Sequence, residues 1–259
     1  MRCMKGIAAS LLIAACCPTM AAGRGLEMSA GLDYSTGRYG AELPTDIWYF
    51  PLTARYEAAS WNLQLTLPYV QMTGPGNVLG ANDGLAGSAG AARRRSASGQ
   101  GDAVAAVSRN LYGSVDGRLL LDITGRIKFG TADASQGLGT GKNDFSLQAD
   151  LLTGNRNWTL FGSAGHRRMG DTADTNFRDP WFASLGAAHN LNGRTQLGAV
   201  YETRQRVITD GARLSEVMVF ASYKLAATHT LQTYVVKGFA DGSPDWGIGF
   251  TLSTTVGKP

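Results

Sequence analysis

Cysteine is almost missing from this chain of 259 residues, and its three copies, Cys3, Cys16 and Cys17, all fall within the first 23 positions. The rest of the chain has no disulfide available and needs another source of closure. Histidine is as scarce: His166, His189 and His229 are scattered and give no recognisable metal-ligand spacing. No glycine-rich run follows a strand and opens a helix, so 137–141 reads as a loop and not a nucleotide cradle. No cofactor is expected. No apolar run past residue 17 approaches the roughly 20 residues that a membrane-crossing helix needs. Charge of one sign is also lacking. Removing residues 1–23 takes Arg2 and Lys5 and no acid, so the formal +4 becomes 4 − 2 = +2. That near balance gives no argument for a nucleic-acid partner.

Residues 1–23 read as a cleaved export signal. Arg2 and Lys5 form its charged start, Ile7 to Cys17 its apolar run, and Thr19 to Gly23 its small-residue cleavage region. Ile13-Ala14-Ala15-Cys16 loosely resembles a lipoprotein box, but the apolar run continues past Cys16. Residues 24–259 are then one exported domain.

Glycine is abundant, 34 residues, without the periodic spacing of a collagen. It suits tight turns and crowded barrel interiors. Alternation is the dominant pattern. In 115–129, Val115, Leu119, Leu121, Ile123, Ile127 and Phe129 occupy odd positions, and Asp116, Arg118, Asp122, Thr124, Arg126 and Lys128 even ones. A strand sends these to opposite faces, one oily and one charged. Its length exceeds the usual soluble strand of about five or six residues, and a membrane strand needs about 9–11.

Twelve such strands are expected, near 27–36, 46–58, 60–71, 101–112, 115–129, 143–153, 156–169, 177–190, 194–206, 213–224, 229–238 and 244–253. Their connections alternate strictly between tiny and long, the layout of an outer-membrane barrel with short periplasmic turns and longer outside loops. A Greek-key sandwich has no reason to obey that rule. Aromatics sort to strand ends. Tyr34, Trp48, Tyr69, Phe129, Phe145, Trp181 and Trp246 fall at the long-loop end, and Tyr56, Trp61, Trp158 and Tyr223 at the other. Two such girdles are expected at the two headgroup levels. An open sheet edge in hydrocarbon leaves backbone groups unpaired, so the sheet must close. The expected fold is an all-β, antiparallel transmembrane barrel of about 12 strands, in a Gram-negative outer membrane. Its environment is then lipid and lipopolysaccharide.

Four segments carry a family resemblance. They are Pro51-Leu52-Thr53-Ala54-Arg55-Tyr56 with Leu67-Pro68-Tyr69-Val70; Gly99-Gln100-Gly101-Asp102; Gly125 to Asp133; and Gly137-Leu138-Gly139-Thr140-Gly141-Lys142-Asn143-Asp144. At these spacings the chain resembles the outer-membrane family named for the MetA pathway of phenol degradation, whose members are described as transporters. Gly130 stands where that family usually has proline, and Ala132 where it has glycine. The family name records a genetic neighbourhood and no substrate. The resemblance implies contact with the barrel-assembly machinery, although Phe250 is followed by nine residues where such barrels commonly finish on an aromatic.

The polar face supplies candidates for a lumen or constriction: Arg55, Glu57, Arg118, Asp122, Arg126, Lys128, Asp144, Asp150, Glu202, Arg204 and Glu216. Twelve strands lie between a filled eight and an open sixteen, and a constricted lumen is favoured. The longest loop, 72–100, ends in Arg93-Arg94-Arg95. Either it folds inward as the constriction, or it stays solvated, or it meets lipopolysaccharide phosphates, for which Arg93, Arg94, Arg95, Arg167 and Arg168 are the candidates. Lipid hydrolysis is the rival class. It needs serine, histidine and acid on one face, whereas Ser163 opposes His166 and Ser184 opposes His189. No catalytic residue is assigned. The expected role is passive passage of small molecules, hydrophobic or aromatic ones included. The alternative is a non-transporting barrel whose outer loops bind lipid or a partner.

Overall fold

The computed structural model describes residues 25–75, 78–79, 86–87, 94–114, 118–173, 175–209 and 211–256. The export signal and Cys16 lie outside them. The long strands are β1 (Gly25–Gly37), β2 (Thr45–Glu57), β3 (Trp61–Pro75), β6 (Arg94–Gln100), β7 (Val104–Gly113), β8 (Leu119–Lys128), β9 (Asp144–Gly154), β10 (Trp158–Arg168), β11 (Trp181–Asn190), β12 (Thr195–Arg204), β13 (Leu214–Lys224), β14 (His229–Gly238) and β15 (Trp246–Val256). A two-residue pair, β4 (Val78–Leu79) and β5 (Ala86–Gly87), stands apart.

Neighbouring long strands pair antiparallel, except that β6 and β7 both pair with β3, and β15 returns to pair with β1 over Leu26–Thr36. The sheet therefore closes on itself, with only the short β6 paired on one side, to β3. Its 13 strands fill twelve wall positions, because β6 and β7 share one: β6 pairs with the outer part of β3 and β7 with the inner part. The short connections 58–60, 155–157, 191–194 and 225–228, with the ends of β7 and β8 at Gly113 and Leu119, lie at the end where Leu26 meets Val256. The longer ones lie opposite. This is the expected alternation, and twelve wall positions is the expected number.

The surface is inverted relative to a water-soluble protein. Leu52, Leu147 and Leu185 point outward with 61%, 59% and 69% of their surface exposed, while Arg204, Asp122 and Glu216 point inward at 2%, 4% and 2%. Continuous apolar exposure on this scale marks a surface that meets something other than water. Aromatics ring both ends. Trp246, Tyr34, Trp48, Phe50 and Tyr69 form a chain of ring contacts with centroids 4.8–6.4 Å apart. At the short-turn end Arg109 covers the Trp61 ring at 5.0 Å, and Trp158 meets His189 at 4.5 Å.

Glycine explains how large rings fit inside. Phe161, Phe182, Phe220 and Tyr234 point inward, and each is paired directly across the ladder with a glycine: Gly186, Gly165, Gly198 and Gly249. A Cβ added at any of the four would meet the partner's ring 2.3–2.4 Å away. The rings thus lie over bare backbone, held to the wall.

Three strand expectations need correction. The strand expected at 101–112 is β7, starting at Val104, and a further strand, β6, precedes it across a break opposite Pro68, which has no N–H to give the ladder. Its carbonyl accepts from Gly101 N (2.9 Å), and 101–103 bow away from β3 between the Tyr69–Gln100 and Thr66–Val104 pairs. As a result 72–75 and 94–100 are strand, not loop. The strand expected over 115–129 spans only Leu119–Lys128, and 115–117 lie outside the described residues. Within it the faces are as expected: Leu120, Asp122, Thr124, Arg126 and Lys128 are inward and buried.

Candidate functional site

The lumen has a charged wall and an apolar wall. On the charged wall, Ser108 (β7), Thr124 (β8) and Asp150 (β9) form a chain: Ser108 Oγ and Thr124 Oγ1 share a hydrogen bond of 2.9 Å, and Thr124 Oγ1 donates to Asp150 Oδ2 at 2.9 Å. Gln148 Nε2 donates to Asp150 Oδ1, and Arg126 Nη1 donates to Gln148 Oε1 at 3.4 Å. Asn110 Nδ2 donates to Asp122 Oδ1 at 2.7 Å. Arg55 pairs with Glu57 at 3.3 Å. These polar groups line an interior removed from bulk water, where each needs a partner.

Above this wall sits a latch. Lys128 Nζ bridges Asp102 Oδ2 and Asp144 Oδ2, each at 3.0 Å, all three side chains being buried. Asp102 reaches it because the break at 101–103 turns this residue inward. The other oxygen, Asp102 Oδ1, accepts from Ala132 N (2.9 Å), and Thr131 Oγ1 accepts from Ala103 N (2.9 Å) while donating to Gly101 O (3.1 Å). Loop 129–143 is thereby pulled into the outer mouth. Leu138, 2% exposed, is buried there with Tyr39, Ala41, Ile47, Val70, Met72 and Ala132. Gly139 is required: a Cβ there would sit 2.9 Å from both Asp102 carboxylate oxygens. Tyr39, in loop 38–44, holds a left-handed φ of 50° and donates to Ser35 Oγ at 2.9 Å; burial pushes its phenol pKa up.

The apolar wall runs over β10–β14. Phe161, Ala188, Val200, Met218, Phe220, Tyr234 and Val236 form one buried cluster. Tyr234 crosses Gly249 to donate to Asp33 on β1. Nearer the outer end, Glu202 and Glu216 are direct cross-strand partners, with Arg204 two residues along from Glu202.

The expected lumen set thus divides. Arg55, Asp122, Arg126, Lys128, Asp144, Glu202, Arg204 and Glu216 are inward and buried, and Glu57 and Asp150 inward and part-buried. Arg118 is different. It is exposed in the short turn before β8, with its N–H donating to Ser114 Oγ (3.1 Å), and does not line the wall. Arg167, expected as an outer anion contact, is instead an inward side chain, 3% exposed, over the Phe182 ring at 6.0 Å. Arg168 is exposed at the end of β10. Arg93 lies outside the described residues, as do the side chains of Arg94 and Arg95, whose backbones pair with Pro75 and Gly74 in β6.

His166 is outward against Trp181 (4.9 Å), while Ser163 is inward, hydrogen-bonded to Ser184 at 2.7 Å. Among the described residues no group of three or more His, Cys, Asp or Glu is placed to hold a metal.

Asp102, Thr131 and Leu138 were absent from the candidate set, although all three lie in the quoted glycine-rich segments. Those segments, far apart in sequence, converge on the latch. An isolated leucine between Gly137 and Gly139 in a long polar loop was the available signal.

No protein-family profile matches the chain, and no curated protein does. Solved structures do. An outer-membrane channel from Pseudomonas putida F1 superposes with a TM-score of 0.70 at 15% identity, over 92% of this chain and 97% of that one. The β-domain of the Bordetella autotransporter BrkA gives 0.53 at 12% identity (90% and 100% covered), and the NanC porin 0.52 at 8% (90% and 100%). At these identities the likeness is one of fold: an outer-membrane-type β-barrel.

Proposed function

We propose that this chain is an outer-membrane channel for passive passage of small molecules, exported through a cleaved N-terminal signal and related to the family named for the MetA pathway of phenol degradation. The observation that carries the reading is the way the four inward aromatics are seated. A side chain meant to fill a barrel extends toward its axis, whereas these rings are drawn onto the wall over glycines. They form an apolar wall, its rings buried to 9% exposure or less, that faces a charged one. Such a two-sided lumen suits small solutes with an apolar or aromatic body and some polar edge. The likeness to a Pseudomonas putida outer-membrane channel agrees with this reading.

A non-transporting barrel is the second reading, favoured by the latched loop 129–143 in the outer mouth. Uptake into proteoliposomes separates the two. Entry of a small aromatic such as benzyl alcohol or phenol derivatives faster than into protein-free vesicles, and faster than that of a disaccharide, supports the channel. Equal rates with and without folded protein would leave the non-transporting barrel.

A further inference from the structure

We propose that the outer rim between loops 169–180 and 205–213 is a binding site for a phosphate-type oxyanion. It rests on the barrel but not on any solute passing through it. The two loops are joined by a hydrogen bond from Arg178 N to Val207 O (2.8 Å). Between them opens a cavity of about 870 Å³ whose lining includes Arg178, Arg204, Arg206 and Arg213, with Asp179 and Gln205. Four arginines and one aspartate thus border one cavity. That carboxylate is engaged, since Asp179 Oδ1 accepts from Met169 N (2.8 Å), and Asp171 in the same loop accepts from Phe177 N (2.7 Å). Loop acids thereby tie down backbone while the arginines converge.

Arg204 enters from the wall below, where it is almost fully buried, and Arg178, Arg206 and Arg213 are exposed. A phosphate offers several oxygens to several planar donor forks at once, which a monovalent halide cannot do. Arg204 forms the floor of the site, two residues along β12 from Glu202, whose cross-strand partner is Glu216; both acids are buried in the wall. Trp181 is tied to the cavity through its backbone N–H, which donates to Gln205 Oε1 (3.2 Å), while its side chain lies 60% exposed in the outer girdle. Because Trp181 also belongs to the outer girdle, the oxyanion could be carried by a lipid headgroup at that level or arrive free in solution.

The test uses the full chain folded in zwitterionic detergent and in phosphatidylcholine vesicles with or without lipid A. Tryptophan fluorescence and thermal unfolding are followed against inorganic phosphate, with matched chloride as control. A saturable phosphate response, weakened roughly tenfold or more for each arginine replaced in Arg178→Gln, Arg206→Gln and Arg213→Gln, supports a site for free anion. Stabilisation by lipid A vesicles but not by phosphate supports a headgroup site, provided the triple variant loses it. Arg→Lys replacements, which keep charge and lose the fork, serve where the glutamine variant fails to fold. Wild-type protein that shows no saturable response to either source, or variants that respond as wild type does, would overturn the proposal.

Discussion

Replacing Lys128 by methionine leaves the Asp102 and Asp144 carboxylates facing each other without their shared cation, in a buried site. Breaking such a buried arrangement costs roughly 3–5 kcal/mol. Lys128→Met is therefore expected to lower the temperature at which the folded, fast-migrating band converts to the slow one on gels. Adding Asp102→Asn and Asp144→Asn should recover part of that loss. Gly198 gives a second test at this scale. A Cβ there would sit 2.3 Å from Phe220 Cζ, so Gly198→Ala is expected to cost about 1–3 kcal/mol, and Phe220→Leu in the same chain to relieve it. Additive losses in that double-mutant cycle would count against the ring-over-glycine packing. Inward residues such as Asp122, Arg126 and Lys128 were legible because alternation assigns a face without ambiguity. Which groups they touch was not, since pairing depends on register between strands. Arg118 and Arg167 show that limit: one falls in a turn, and the other stacks on a ring inside.

Among elements, loop 129–143 narrows the outer mouth. Its start is fixed by Thr131 and Ala132 on the 101–103 break, its middle by Leu138, and its end by Asp144 on Lys128. Asp133 caps the short turn at 134–136, and hydrogen bonds from Ser135 and Gln136 hold its carboxyl below the usual range. A depressed pKa gives a contribution that is whole above the unfolded value near 4 and lost as pH falls through the lower folded one. Protection of the 134–138 amides from hydrogen exchange is accordingly expected to persist at pH 5 and to be weaker in Asp133→Ala than in wild type. The strands themselves were legible because each carries its own period of two. The inward fold of this loop was not, since it arises from a register break at Pro68 some 60 residues earlier, and no local pattern encodes that. Of the loop expected at 72–100, one candidate for a constriction, residues 72–75 belong to β3 and 94–100 form β6.

At the scale of the whole molecule, a closed cylinder wears its leucines outside and its charges within. The sequence allowed that inversion to be read, because oily faces, short–long connections and sorted aromatics all required the same closed sheet. Its barrel is expected to need detergent, and unboiled protein to migrate ahead of boiled protein. How far the lumen is open depends on side chains meeting across its axis, which one-dimensional alternation cannot convey. The most direct measurement is single-channel conductance in planar bilayers, wild type beside Leu138→Ser. A polar hydroxyl in the cluster of Ile47, Val70 and Met72 weakens the seat of the loop without touching the wall. Small or intermittent wild-type conductance that becomes larger and longer-lived in the variant is the predicted result. Identical conductance in the two, or none in either when both migrate as folded barrels, would contradict a pore narrowed by loop 129–143.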